Sequence, residues 1–340
     1  MVNVSINGYG TIGKRVADGV SLHSKLKLIG VSKYTPDGDA RLANMLGYGL
    51  FVPGENKTKF TEKGIEVEGD TNEMIDESDV IVDASSGGRG IQNRQNFYSP
   101  KDKKAIFQGG EDAEVADISF NARSNFERAI DKKYIRVVSC NTTSYCRLIK
   151  PLMDRYKIKN IQALLIRRGA DPNDSKGAML NAVEWKAKSH HADDVKTVID
   201  VPISSIAYKV PHTLTHVNSM NIEFEEQVNQ DAFIDIFKDE SRVAILNSAK
   251  TSAEIIEAAR DLGLKRYDTF VVSLLMKTFV AEGNRVFVSF LVPQESIVIP
   301  ENIDAIVGQA GLMKKEDSMK TTDKILGIPE IKKNLEKIFE

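Results

Sequence analysis

The chain of 340 residues contains only two cysteines, Cys140 and Cys146, which excludes a miniprotein core stapled by disulfides. Its length is about twice that of a common domain and permits two ordinary hydrophobic cores. No apolar run approaches the roughly twenty residues of a bilayer span, so a helical membrane protein is excluded. Neither sign of charge is in excess. Lys and Arg number 46 against 48 Asp and Glu, a net charge of −2, and nothing basic advertises nucleic acid. There is no compact Cys/His cluster with metal-ligand spacing, no internal repeat and no low-complexity tract. The first residues run into a strand-like segment without a signal-peptide pattern, which together with two thiols predicts a reducing, cytoplasmic setting.

What is present is a βα alternation. Val2 to Asn7 reads as a strand, Gly8-Tyr9-Gly10-Thr11-Ile12-Gly13 as a tight turn, and Val16, Ala17 and Val20 as the apolar side of a helix. Short apolar runs at 26–31, 79–84, 104–107 and 134–138 predict further strands of a parallel sheet covered by helices. Longer β-rich stretches at 161–166, 205–210, 218–224, 270–275 and 285–292 predict a second sheet, largely antiparallel or mixed. Thr251-Ser252-Ala253-Glu254 resembles a capping box, with Gly263 as the stop of its helix. The fold class is α/β: a Rossmann dinucleotide-binding domain over 1–139 and an α+β catalytic domain over 140–305. The tail 306–340, with Ile325, Ile328, Ile331, Leu335 and Ile338 on one side, predicts a docked helical segment packing back on the nucleotide domain.

Gly8, Gly10 and Gly13, between a strand and a helix, form the pattern that lets a pyrophosphate approach the backbone at a helix N-terminus. A dinucleotide site is the reading, with a structural turn as the alternative. The second strand ends in Ser32-Lys33-Tyr34-Thr35, without the acidic residue that selects NAD through its ribose hydroxyls. Lys33 suits a 2′-phosphate, with Ser32 or Thr35 donating beside it, so NADP is favoured. Asp37 or Asp39 would supply the ribose acceptor for NAD if the loop curls back.

Cys140 follows a strand and starts a helix, where amide donors and the positive helix end stabilise a thiolate and the oxyanion it makes on a carbonyl. Cys146, inside that helix, suits a small buried hydrophobe. A thiol with a nicotinamide implies aldehyde oxidation through a thioester. His190-His191 and His212/His216 are the candidate acid–base groups, and His23 is structural. Arg167-Arg168 ends an apolar strand before the turn-rich Gly169 to Asp174, which suits guanidinium contact with a phosphate or with the nicotinamide side of a cofactor.

Taken together, Asn7 to Arg15, Ser139-Cys140-Asn141-Thr142-Thr143, Arg167-Arg168 with Asp171-Pro172-Asn173-Asp174, Ser189-His190-His191 and Gln294-Glu295-Ser296 resemble the archaeal type of glyceraldehyde-3-phosphate dehydrogenase. The likeness runs in order from residue 1 to beyond residue 300. It implies a phosphorylating enzyme that interconverts glyceraldehyde 3-phosphate and inorganic phosphate with 1,3-bisphosphoglycerate, using NADP or NAD, as a homotetramer. It makes Cys140 the nucleophile and His216 the base. It implies cofactor contacts at Thr11, Ile12, Gly109, Arg168 and Gln294, and substrate or phosphate contacts at Ser139, Asn141, His190 and His191. Arg167 is expected to join the substrate side, and the Asn141 amide to stabilise oxygen charge.

The family's Pro-Thr-Thr-Leu-Met-His-x-His reads here Pro211-His212-Thr213-Leu214-Thr215-His216-Val217-Asn218, so its second histidine is Asn218. Ser144-Tyr145 replaces Gly-Leu, and Ala192-Asp193 replaces Gly-Pro. These departures leave nucleophile and base intact and bear on the phosphate pocket and the preferred aldehyde. A related semialdehyde or acyl-phosphate reductase and a catalytically silent dinucleotide-binding scaffold are the alternatives.

Overall fold

The computed structural model describes residues 1–169, 182–186 and 188–340. The chain divides into two compact units, Met1–Ser139 with Ile299–Leu326, and Cys140–Val298 with Gly327–Glu340. The tail expected to act as one segment from 306 is therefore split: its first part belongs with the nucleotide unit, and its last fourteen residues, Gly327–Glu340, with the other.

The first unit carries eight strands: β1 (Val2–Asn7), β2 (Leu26–Ser32), β3 (Leu50–Val52), β4 (Gly69–Asp70), β5 (Val80–Asp83), β6 (Lys104–Gln108), β7 (Ile118–Phe120) and β8 (Tyr134–Val137). They form one parallel sheet in the order β4-β3-β2-β1-β5-β6-β8-β7. The chain reverses its direction of strand addition between β1 and β5, the place where doubly wound sheets open a ligand crevice. Strands covered on both faces lose the polar alternation, as Val80–Asp83 and Tyr134–Val137 do: every residue of each is buried.

The helix Thr11–Leu22 lies on this sheet, and the helix Ile299–Gln309 packs on it, with Ile303 Cδ1 3.1 Å from the site of a Cβ on Gly19. All eleven residues of Ile299–Gln309 are buried, including its polar ones, and each polar group needs a partner. Glu301 accepts the Ala122 N–H at 2.6 Å, Asn302 and Gln108 exchange amide hydrogen bonds at 2.8 and 3.1 Å, and Asp304 Oδ1 accepts from Ser318 and Thr322.

The second unit contains β9 (Ile158–Arg168), β10 (Glu184–Lys186), β11 (Ile203–Val210), β12 (Thr215–Phe224), β13 (Val243–Leu246), β14 (Val272–Glu282) and β15 (Arg285–Pro293). Their order is β10-β11-β9-β12-β15-β14-β13, with parallel pairs β11/β9 and β13/β14 and antiparallel pairs elsewhere. One face is packed: Ile203, Ser205 and Ala207 of β11 are buried while Ser204, Ile206 and Tyr208 face outward. The helix Cys140–Arg155 packs against β15 and stacks Tyr145 edge-on to Phe290, with ring centres 5.5 Å apart.

The single terminal helix suggested by the isoleucine spacing is two helices, Lys315–Ile325 and Ile328–Ile338, because Gly327 takes a left-handed φ of 69° between them. That break sends Ile325 and Ile328 to different units. Only Ile328, Ile331 and Leu335 of the expected apolar side are buried, and Ile338 is 48% exposed.

Candidate active site

In the first unit, a cavity of about 340 Å3 opens at the C-terminal ends of β1, β2 and β5, lined by Gly8, Tyr9, Gly10, Lys33, Tyr34 and Arg89 among others. Gly10 precedes the first turn of the helix Thr11–Leu22 without capping it by a side chain, which leaves first-turn amides of Thr11, Ile12 and Gly13 facing the turn. A Cβ on Gly13 would sit 1.9 Å from Gly8 O, so the turn closes only around glycine, whereas a Cβ on Gly10 would meet nothing within 4 Å. The turn is thus tight beneath and open above, which fits a pyrophosphate. Beneath it, Ser32 Oγ donates to Asn7 Oδ1 at 2.7 Å, Asn7 Nδ2 donates to Tyr98 Oη at 2.7 Å, and Tyr98 donates to Asp83 at 2.8 Å. This buried network ties three strand ends together.

Two expectations at the ribose end change. Ser32 is fully buried with its hydroxyl already donated to Asn7, so it does not serve a 2′-phosphate. Lys33 lies 2.9 Å from Asp37 and 3.4 Å from Asp39, and Asp39 also takes Lys14 at 2.7 Å. Asp37 uses its other oxygen to cap the next helix through the N–H groups of Asp39 and Ala40. The loop does curl back, but onto lysines. Gly109, at the end of β6, has no room for a side chain: a Cβ there would lie 2.1 Å from Ser139 N, so glycine brings this loop against the residue before the thiol.

In the second unit, Cys140 starts the helix Cys140–Arg155 and is partly exposed. His216, on β12, points Nε2 to within 3.5 Å of Cys140 Sγ. Burial pushes the thiol up to about 11, while Arg168, the Asn141 N–H and Arg167 pull the other way. His216 is held well below the usual histidine range, first by burial and then by Arg168, Arg167, His191 and His212. It is a neutral imidazole. Its Nδ1 accepts the backbone N–H of Arg168 at 3.0 Å, and β9 and β12 run side by side to make that contact.

Asn141 is more committed than its sequence suggests. Its Oδ1 accepts from Asn218 Nδ2 at 2.9 Å, and its Nδ2 faces His191 Nε2 at 3.3 Å. His191 Nδ1 lies 2.6 Å from Ser189 Oγ, and burial lowers its pKa to about 3, helped by His190, Arg167 and Lys186. The amide expected to stabilise a substrate oxygen is therefore a link in a buried chain, and His191 is a neutral member of it. His190 is exposed and stacks on His191 with centres 4.1 Å apart. Thr142 Oγ1 donates to Asp194 of the helix His191–Lys196 at 2.5 Å.

His212 is apart from this cluster in its bonding, with Nε2 2.8 Å from Thr215 Oγ1. His23 closes the helix Thr11–Leu22 and is structural, and Cys146 is fully buried within its helix. Arg167 and Arg168 end β9; Arg167 Nε is buried without a hydrogen-bond partner among the described residues. Gln294 follows β15, and its buried Oε1 is likewise unsatisfied among the described residues. Asp171-Pro172-Asn173-Asp174 lie outside the described residues. Asn218 on Asn141 and the Arg168 N–H on His216 were absent from the sequence reading. Asn218 carried a signal as a departure from the family pattern, whereas a backbone donor carries none.

A family model described as "Glyceraldehyde 3-phosphate dehydrogenase, C-terminal domain" matches residues 139–265. Curated relatives named glyceraldehyde-3-phosphate dehydrogenase cover nearly the whole chain. The one from Sulfurisphaera tokodaii is 43% identical over 335 residues, 96% of this chain and 97% of its own length. Those from Methanothermus fervidus and Pyrococcus furiosus are each 43% identical, over 95% and 96% of this chain and 97% and 99% of their own lengths. No helix among the described residues is long and apolar enough to cross a membrane. With a glycine cradle at the switch point of one sheet and a thiol beside a neutral imidazole on the other, this chain belongs to the glyceraldehyde-3-phosphate dehydrogenase family.

Proposed function

We propose that the chain interconverts glyceraldehyde 3-phosphate and orthophosphate with 1,3-bisphosphoglycerate in the cytoplasm, through a thioester on Cys140. The observation that carries this reading is the 3.5 Å approach of His216 Nε2 to a thiol that starts a helix. The nicotinamide cofactor, when bound, supplies the hydride acceptor. The chain does the rest. The Cys140 thiol gives its proton to solvent, its sulfur bonds to the aldehyde carbon, the carbonyl π pair moves to oxygen, and the helix-start amides and His216 stabilise that charge. Loss of hydride restores the carbonyl as a thioester. Orthophosphate attacks it, the carbon–sulfur bond breaks, and its proton returns to sulfur.

Arg167, with its unmatched Nε, suits a substrate or incoming phosphate, joined by Ser139 and the exposed His190. Asn141 and His191 act by keeping the wall of that pocket in place. Gly8, Gly10, Gly13, Thr11 and Ile12 serve the pyrophosphate, and Gly109, Arg168 and Gln294 the nicotinamide side. NADP is the favoured cofactor. The second strand ends in Ser32-Lys33-Tyr34-Thr35 without an acidic residue, and Lys33 and Arg89 line the cavity at that end. The outward face of the second sheet, with a groove of about 670 Å3 beside the exposed Ile206 and Phe287, supports assembly into a homotetramer.

The test is reduction of NADP and NAD with glyceraldehyde 3-phosphate, with and without orthophosphate or arsenate, in wild type and Cys140→Ser. Turnover that requires the oxyanion, is lost in the variant and has its lower KM with NADP is the expected result. Turnover without either oxyanion overturns the phosphorylating reading.

A further inference from the structure

We infer that Arg89 is the residue that reads the 2′-phosphate of NADP, at the adenosine end of the cofactor cavity. The inference rests on the NADP reading above and names the side chain that separates the two cofactors there.

Charge accounting singles it out. Two cations line the cavity at the ends of β1, β2 and β5, Lys33 and Arg89. Lys33 Nζ lies 2.9 Å from Asp37 Oδ2 and 3.4 Å from Asp39 Oδ2, and Asp39 Oδ1 lies 2.7 Å from Lys14 Nζ. Two lysines thus meet two carboxylates, and that group sums to no net charge. Arg89 is exposed, and among the described residues its guanidinium has neither a hydrogen-bond nor an ion-pair partner. A phosphate monoester brings close to two negative charges and three acceptor oxygens, and the planar fork of a guanidinium matches them in pairs.

The backbone around Arg89 aims it. Gly88 takes a left-handed φ of 82° and donates its N–H to Glu111 Oε1 at 2.7 Å. Gly90 is buried, and a Cβ there would lie 2.8 Å from Glu111 Cδ and 2.9 Å from Phe107 Cδ1, so the chain presses onto the sheet at 90 and leaves the side chain of 89 outside. Asp83 ties this loop to β5 from both ends. Its Oδ1 accepts the N–H and hydroxyl of Ser85 at 3.0 and 2.6 Å, and its Oδ2 accepts from Asn93 Nδ2 at 2.8 Å. A long side chain is therefore mounted on backbone that is already fixed, which lowers the ordering cost of gripping a ligand.

Tyr34 marks the adenosine end. It follows Lys33, lines the same cavity and is 41% exposed, a ring on which adenine can stack. Burial raises the pKa of its phenol while Arg89 pulls it down, so guanidinium and phenol share one mouth. Asp83, Glu55 and Asp70 act on the phenol in the opposite sense, but none of them lines the cavity. Asp83 is held as above and by Tyr98, and Asp70 caps the helix Thr71–Glu77. Among these charged groups only Arg89 offers a positive charge that is not already matched. The pyrophosphate belongs at the other end, over Gly10, where the helix-start amides receive it.

Adenosine 2′,5′-bisphosphate and 5′-AMP differ only in the 2′-phosphate, so calorimetric titration of the full chain with each, and with NADP and NAD, isolates that group without any turnover. Wild type should hold the bisphosphate and NADP more tightly than 5′-AMP and NAD, by a margin that shrinks as salt is raised. Arg89→Ala should weaken the bisphosphate and NADP by about 10- to 100-fold, the range for losing hydrogen bonds to a charged group, and change 5′-AMP and NAD by less than about twofold. The unaltered 5′-AMP affinity doubles as proof that the variant is folded. Arg89→Lys, which keeps the charge and loses the fork, should recover part of the loss. Equal weakening of all four ligands places Arg89 on the adenine or the pyrophosphate and overturns the inference. A preference for NADP that survives in Arg89→Ala also overturns it, and leaves the NADP reading intact. A wild type that binds 5′-AMP as tightly as the bisphosphate refutes both.

Discussion

A single buried imidazole sets a pH dependence for the fold. His191 has its pKa lowered from 6.5 to about 3, with both ring nitrogens already engaged. The unfolded chain takes up a proton near pH 6.5 that the native state refuses, so this contribution to stability is intact above about pH 6.5 and is lost as pH falls toward 3. Within that window the slope is about 1.4 kcal/mol per pH unit for each such group, and His216 acts in the same direction. Urea unfolding between pH 6 and pH 4 checks this: the slope should flatten in His191→Gln relative to wild type. The two thiols make a second prediction. Iodoacetamide should modify partly exposed Cys140 in the folded chain and spare fully buried Cys146, and Cys146→Ser should keep the burst rate while lowering stability. At this scale the sequence was informative wherever a side chain's own chemistry matters, as for Cys140 and His216. It did not show that the Asn141 amide is already engaged, because the group that occupies its carbonyl, Asn218, is 77 residues away and is brought there by strand pairing.

At the scale of elements, local chemistry was the better guide. Thr251 accepts the Glu254 N–H at 3.2 Å at the start of the helix Ser252–Asp261, as the spacing predicted, although the Glu254 carboxylate reaches back to Lys250 N at 2.8 Å and not to the cap residue. Thr251→Ala should cost about 1 kcal/mol. Hydrogen exchange at the first-turn amides of that helix should speed up about fivefold, while β12 exchange stays unchanged. The long strands of the second sheet announced themselves through β-rich composition. β3, β4 and β7 did not, since two or three residues are too few to show a period, and their strand character comes from parallel neighbours. The paired terminal helices illustrate the same limit: isoleucine spacing alone reads through Gly327, where the backbone turns left-handed and the chain changes unit.

For the whole molecule, the outward sheet face is the feature that asks for a partner. Ile206 and Phe287 are 42% and 43% exposed beside a groove on an otherwise well-packed sheet. If copies of the chain cover that face, Ile206→Asp with Phe287→Asp should lower the mass seen by light scattering without changing the far-ultraviolet circular dichroism. An unchanged mass would remove this face from the assembly. The split of the chain has a different bearing. It passes between units at 139/140, 298/299 and 326/327, and the fully buried helix Ile299–Gln309 belongs to a unit whose other strands were all made before residue 140. On a ribosome, the nucleotide-binding sheet would therefore wait through the synthesis of an entire second unit with its groove for that helix unfilled. A nascent chain arrested at residue 298 should be readily cleaved by protease within 1–139, and one extended past residue 340 by a linker that carries residue 326 beyond the exit tunnel should resist.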